Sequence, residues 1–301
     1  MSVRTAAATS QLPSAGFERY LSLIPSFEQH GYAIIKLEAD VLAGIDRVES
    51  QAKQFFCQSS AIKHGFAAPS CVEGYREIGP EYSLVPERPD LTESFSFWYR
   101  NRRRPEILAW RETCPLHVIM HETADMLSTV TADLFAAMAA SWGSIGTQTP
   151  PLRFQEASYI QINYYEPALH SRDLLQDPHE DGHLITLVRA TEPGLEIKIH
   201  GDFRSIELAA DEMLVMPGSL LTLMTGNLVP PLYHQVRNSL RQAARYSQMF
   251  FVNPELNQKL APWILNASNE HIDIVEHANS APSQFGLPTL VAGAKGEGST
   301  Y

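Results

Sequence analysis

Cysteine is scarce in this chain: Cys57, Cys71 and Cys114 are the only three in 301 residues, at spacings that fit neither a CxxC pair nor a zinc motif. That argues against a disulfide framework and a thiolate zinc site, and three free thiols suit a reducing compartment. Long apolar runs are missing as well. No stretch of about eighteen apolar residues occurs, and the opening MSVRTAAATSQLPSAG lacks the continuous apolar core of a signal peptide. The expectation is a soluble, cytoplasmic protein with no membrane partner. Positive charge is also short, with 23 Lys and Arg against 34 Asp and Glu, and the net charge of −11 repels a phosphate backbone. The one basic run, Arg100, Arg102, Arg103 and Arg104, has no counterpart elsewhere and reads as a solvated loop. Nucleic acid is therefore not an expected partner.

What is present is an evenly spread apolar content of 44%, with twenty prolines and seventeen glycines scattered rather than clustered. Such a chain folds throughout its length. GYAIIKLE, from Gly31, reads as a short buried strand. Ala43 to Phe56 carries Ile45, Val48, Ala52, Phe55 and Phe56 at helical spacing, and Leu116 to Trp142 keeps that period for about seven turns. After Pro150 and Pro151 come short segments rich in Ile, Val, Tyr and Phe: SYIQINYY, HLITLV, LEIKIH, FRSIEL, EMLVM, YHQVRN and RYSQMFFVN. Many short strands at close spacing predict a barrel or two-sheet sandwich. The organisation expected is a helix-rich region over residues 1–150 packed on a β core over 151–260, with a helix from Ala261 to His277 and a loose tail completing 261–301.

The chemistry concentrates in HEDGHLITLV, His179 to Val188. In an extended strand residues i and i+2 share a side, so His179 and Asp181 can face one point while Glu180 faces away. His234, at the start of the strand in PLYHQVRN, supplies a second imidazole. Two histidines and one carboxylate form the triad that leaves three positions open on a non-haem Fe(II), as oxygen chemistry requires. Arg245 and Ser247 in RYS form another i, i+2 pair, a guanidinium fork and a hydroxyl suited to a carboxylate. Asn163 and Tyr165 in INYYEP form a third. Three polar pairs aimed inward from apolar strands are more than a structural core tolerates without partners.

These motifs, HEDGHLITL, YHQV and RYSQMFFVNP with INYYEP upstream, resemble those of the Fe(II)/2-oxoglutarate-dependent oxygenases, in the isopenicillin N synthase-like branch. EQHGYAIIKL, QAKQFF, Gly74-Tyr75 and DLTESFSF extend the likeness toward the amino terminus. The resemblance implies a double-stranded β-helix, or jelly roll, with helical support. It implies Fe(II) on His179, Asp181 and His234, 2-oxoglutarate held by Arg245 and Ser247 with Tyr165 and Asn163 assisting, and O2 as co-reactant. It further implies that a small molecule, one of specialised metabolism, is hydroxylated, desaturated or cyclised, with succinate and carbon dioxide as co-products. The alternatives are an oxidase like isopenicillin N synthase, which uses no 2-oxoglutarate, an ethylene-forming variant, and a non-catalytic iron or 2-oxoglutarate sensor.

The sequence departs from the family pattern at His183, where a small residue is usual, at Glu166 in place of proline, and in the eleven residues separating Arg245 from His234. His183 is a candidate for a role beside the metal or toward substrate, and Tyr75, Phe95, Phe97 and Trp98 are candidates for the substrate pocket. His117 and His121 lie i, i+4 beside Glu122 without an HExxH pattern, and read as packing or surface histidines. No oligomeric state follows from the sequence.

Overall fold

The computed structural model describes residues 15–143, 152–167, 172–238, 243–264 and 271–280. Its strands, in chain order, are β1 (Ala33–Lys36), β2 (Ala67–Ala68), β3 (Glu73–Arg76), β4 (Glu93–Trp98), β5 (Tyr159–Tyr165), β6 (Leu174–His179), β7 (Ile185–Ala190), β8 (Leu195–Ile199), β9 (Asp202–Ser205), β10 (Glu212–Pro217), β11 (His234–Arg237) and β12 (Arg245–Val252). They form two antiparallel sheets, one ordered β1-β10-β7-β12-β5-β4-β3-β2 and the other β6-β11-β8-β9. The smaller sheet faces β10-β7-β12-β5 of the larger, which is the jelly roll expected. β1 extends one edge and β4, β3 and β2 extend the other, so the first half of the chain shares a sheet with the barrel.

Alternation along each central strand feeds two separate cores. From β12, Phe250 and Val252 pack outward with Phe95, Ile160 and Ile162 against the helices. Met249 points inward, where it joins Val188, Leu195, Ile197, Leu214 and Met216. Both faces of this sheet are covered, so its strands carry apolar residues on both parities.

The outer face is closed by the helices Ala39–Phe56 and Pro115–Trp142. Pro115 opens the longer one, where its missing N–H costs nothing. Leu116, Met120, Leu127, Leu134 and Met138 then recur on its buried side, each worth about 1.5–3 kcal/mol when fully withdrawn from water. A buried polar pin ties this helix to the sheet. Glu73 on β3 accepts from His117 Nε2 at 2.8 Å, from Asn101 Nδ2 at 2.9 Å and from the Trp98 amide at 3.1 Å. His117 is thus a structural residue, and His121 stacks on Phe97 with ring centroids 4.7 Å apart.

The carboxy-terminal expectation needs correction. Residues 261–264 are not helical, Leu260 forms an isolated bridge with Ile272, and the helix runs Ile274–Ser280. The amides of Trp263 and Ile264 donate to the Met224 carbonyl at 2.8 and 3.2 Å, and that of Ile272 to the Leu260 carbonyl at 2.9 Å, in place of helical bonds. The tail from Gly286 lies outside the described residues. All three cysteines are free, Cys57 exposed and the others buried; burial pushes the Cys114 thiol up to about 11. Among the described residues no helix is long and apolar enough to cross a membrane.

Candidate active site

Two strand ends and one turn bring His179, Asp181 and His234 together. His179 ends β6 and His234 begins β11, directly opposite in the antiparallel register, with ring centroids 4.2 Å apart. Asp181 does not lie on a strand with His179, contrary to the i, i+2 reading. It sits in the turn 180–184 that carries the chain from β6 in one sheet to β7 in the other. The three ligand-type atoms still converge, within 4.8 Å of one another, and all three residues are buried. Asp181 Oδ1 is 3.8 Å from Nε2 of each histidine, a separation that one ion bonded at about 2.1 Å to each atom can span.

The outer atoms of the cluster are fixed by neighbours. Nδ1 of His179 donates to the Asp177 carbonyl at 2.7 Å, and Nδ1 of His234 donates to the Leu232 carbonyl at 3.2 Å. A proton held on Nδ1 leaves Nε2 of a neutral ring as the lone-pair atom. Asp181 Oδ2 accepts from the Thr186 hydroxyl at 2.5 Å, which turns Oδ1 toward the two rings. Burial, with His179 beside it, pulls His234 down to about 4, so it is neutral at neutral pH. For Asp181 burial acts upward, but His234, His179, His183 and the Thr186 hydroxyl outweigh it and hold the carboxyl below its ordinary range. A buried carboxylate facing two imidazole lone pairs is costly until a cation sits between them. Backbone packing also sets the turn: a Cβ on Gly218 would stand 2.3 Å from the Asp181 carbonyl oxygen and 2.2 Å from that of His183.

The cluster opens into a cavity of about 730 Å³, its mouth included. One wall is apolar, formed by Val188, Leu195, Met216, Val236 and Met249, and Trp98, Tyr159 and Phe251 add an aromatic side. Tyr159 stacks between the other two, at 3.7 Å from Trp98 and 4.6 Å from Phe251. The remaining wall is a relay of oriented amides. Arg76 donates to Gln161 at 2.7 Å, Gln161 to Asn163 at 2.8 Å, and Asn163 to the Tyr165 hydroxyl at 3.4 Å. That hydroxyl donates to Gln176 at 2.7 Å, and Gln176 donates to Asp90 at 3.2 Å. Glu81 pairs with Arg76 at 2.5 Å, and burial raises the Asp90 carboxyl.

Asn163 and Ser247 stand opposite each other on β5 and β12 and line the cavity. Tyr165 and Arg245 are the next opposed pair on the same face, about 7 Å further along the strands. Arg245 is wholly buried there, its guanidinium 5.0 Å from the Tyr165 ring centroid and its Nε donating to the Glu192 carbonyl at 3.1 Å. His183 lines the cavity, and its Nδ1 lies 2.6 Å from Asn253 Oδ1. Burial lowers its pKa. Tyr75, Phe95 and Phe97 do not line the cavity: they face the helical core, while their strand neighbours Arg76 and Trp98 face inward. Sequence reasoning missed Arg76, Glu81, Gln161 and Gln176. Gln161 was within reach of the alternation that found Asn163 and Tyr165; Glu81 lies in a loop with no local signal.

Comparison with known proteins bears on this core. Residues 157–254 match the family model of the 2OG-Fe(II) oxygenase superfamily. No curated protein matches the chain. Among solved structures it is similar to a putative 2OG-Fe(II) oxygenase family protein from Caulobacter crescentus, at 21% identity and a TM-score of 0.69 over 87% of this chain and 93% of that one. The dioxygenase for auxin oxidation 1 from Arabidopsis thaliana, bound to 2-oxoglutarate, aligns at 17% identity and TM-score 0.66, covering 84% of this chain and 95% of that one. A full-length Neurospora crassa protein solved in complex with alpha-KG aligns at 17% and 0.64, covering 87% and 89%. These identities establish the shared fold, and the matched segment contains the whole His-Asp-His cluster. Fe(II), 2-oxoglutarate and O2 are the cofactors such a dioxygenase uses. The segment that builds the cluster is thus the segment that the family model of the 2OG-Fe(II) oxygenase superfamily matches.

Proposed function

We propose that the chain oxidises a small molecule at a C–H bond, by hydroxylation, desaturation or cyclisation in specialised metabolism, with 2-oxoglutarate as cosubstrate. The observation that carries this reading is the buried cluster, whose three inner atoms face one point while their outer atoms are tied down by Asp177, Leu232 and Thr186. His179, Asp181 and His234 are the iron ligands in this reading. When bound, Fe(II) with 2-oxoglutarate and O2 supplies the oxidising power.

The chain's own residues bind, orient and exclude water. Ser247 and Asn163 offer polar groups at the cavity surface, and Arg245, one pleat deeper, provides the charge for the far carboxylate of 2-oxoglutarate. Tyr165 supports that end through its face on the guanidinium. The apolar wall of Val188, Leu195 and Met216 keeps the reacting carbon dry. A cavity lined by apolar walls and a few placed polar groups suits a small-molecule substrate; the similar Neurospora crassa protein is seen with thymine and JOX2 with JA. The test is anaerobic Fe(II) binding by calorimetry, followed by succinate formation on admitting O2 with and without 2-oxoglutarate. Oxidation of a substrate with no succinate formed rejects the proposal in favour of an oxidase.

A further inference from the structure

We infer that His183 sets substrate specificity: its Nε2 accepts a hydrogen bond from an N–H or O–H group on an otherwise apolar substrate. This rests on the cavity being the oxygenase active site. His183 shares a turn with Asp181 and lines the same cavity. Its ring is set against Phe251, at 4.9 Å between centroids, and edge-on to Tyr159 at 5.8 Å.

Hydrogen bonds on the far side of the ring decide which nitrogen carries the proton. The Asn253 amide N–H donates to Ser158 Oγ at 3.1 Å, and its side-chain Nδ2 donates to the Ala157 carbonyl at 3.2 Å. Turning the carboxamide over would set Oδ1 against that carbonyl oxygen, so the orientation has one solution. Oδ1 therefore faces His183 Nδ1 at 2.6 Å and, as a pure acceptor, requires a proton there. In the neutral ring Nε2 is left as an acceptor, and it points to the cavity side.

The atom facing Nε2 is the Tyr159 hydroxyl at 3.4 Å, longer than an O–H bond of good geometry. A substrate donor seated beside this pair on the cavity side can give its hydrogen bond to Nε2, and a hydroxyl there can also accept from Tyr159. The rest of the cavity near the turn offers methyl, thioether and aromatic surface from Val188, Met216, Met249 and Phe251. The ligand chemistry that fits both is an apolar body with one donor. A molecule of the same shape without the donor would bury Nε2 with only the long Tyr159 contact, which a site of this kind penalises.

The experiment compares probes in matched pairs: indole with 1-methylindole, phenol with anisole, and cyclohexanol with its methyl ether. Each is titrated by calorimetry into protein loaded anaerobically with Fe(II) and 2-oxoglutarate. The expected result is that the donor member of a pair binds about tenfold tighter, that His183→Phe removes the preference, and that His183→Gln, which keeps an acceptor, retains part of it. Asn253→Leu, which frees the tautomer, serves as a second variant should His183→Phe fail to fold. In Zn(II)-loaded protein, imidazole 15N shifts should show Nε2 unprotonated and moving on addition of indole. Equal binding within every pair, no binding by any probe, a preference that survives His183→Phe, or a proton on Nε2 each overturns the inference. Iron and 2-oxoglutarate affinities are measured without probe, so failure of the oxygenase reading shows separately.

Discussion

His179 and His234 are held in the same way: each gives its Nδ1 proton to the backbone carbonyl two residues before it, Asp177 in one case and Leu232 in the other. The two rings lie across one strand pair with their Nε2 atoms 3.8 Å from the same carboxylate oxygen. Because the outer partners are main-chain atoms, side-chain substitutions at 177 or 232 leave the tautomers unchanged. The orientation of the two rings is a property of the main chain.

Replacing His234 with alanine removes one of three ligand atoms and leaves the sheet hydrogen bonds in place. Iron content after anaerobic loading should fall to background, and succinate formation with it, while the far-ultraviolet circular dichroism spectrum is retained. Normal turnover by this variant would refute the ligand assignment.

Thr186→Val keeps the shape of the side chain and deletes the donor to Asp181 Oδ2. The carboxylate then loses the contact that turns Oδ1 inward. Fe(II) affinity should drop roughly 10- to 100-fold, the usual effect of removing a partner behind a ligand. Calorimetric titration under nitrogen reads this directly, and an unchanged affinity means Thr186 does not orient Asp181.

Arg245→Gln keeps donors one pleat beyond Ser247 but loses the charge and the fork. With charged hydrogen bonds worth about 1.5–3 kcal/mol, 2-oxoglutarate should bind roughly ten- to a hundredfold more weakly. Iron binding should hold. The check is succinate production against 2-oxoglutarate concentration, and a variant with the wild-type half-saturation point would remove Arg245 from the anchor.

Glu73→Ala strips the acceptor from His117, Asn101 and the Trp98 amide in the protein interior. The cost should be about 3–5 kcal/mol, seen as a lower midpoint in urea. Burial raises the Glu73 carboxyl above its ordinary range, although His117, Asn101 and the Trp98 amide oppose the rise. A raised folded-state pKa means that the fold favours the protonated form. This site's contribution is therefore full below the ordinary carboxylate pKa of about 4.3 and is lost as pH rises through the folded value. In Glu73→Gln that part of the pH dependence should vanish, and urea midpoints across pH 4 to 8 would show whether it does.

Much of this site is legible in the sequence because its rules are local. Asn163 with Tyr165 and Arg245 with Ser247 follow from strand alternation, and the register sets the two pairs opposite each other. His179 and Asp181 meet by a route that alternation does not describe: the chain leaves its strand after His179, and the two residues converge because the turn crosses between sheets. The parity of ESFSFW misleads for a different reason. With both faces of β4 covered, apolarity does not mark the barrel interior; Phe95 and Phe97 belong to the helix side, and Ser94 and Ser96 lie on the face that carries Trp98. Glu81 and Asp90 reach the cavity from the loop between β3 and β4, and no pattern within that loop foretells it.

Gly218 touches neither the cavity surface nor any atom that a metal would bond, yet it fills the space behind the turn that carries Asp181. Any side chain there displaces the main chain at 181 and 183 together. In a mutational scan scored by turnover, position 218 would therefore be as intolerant as a ligand, although it does no chemistry. A scan scored by folding would pass over it if the displaced turn stays packed. The difference between the two scores at one glycine would measure how closely the backbone must be placed for a carboxylate and two imidazoles to meet.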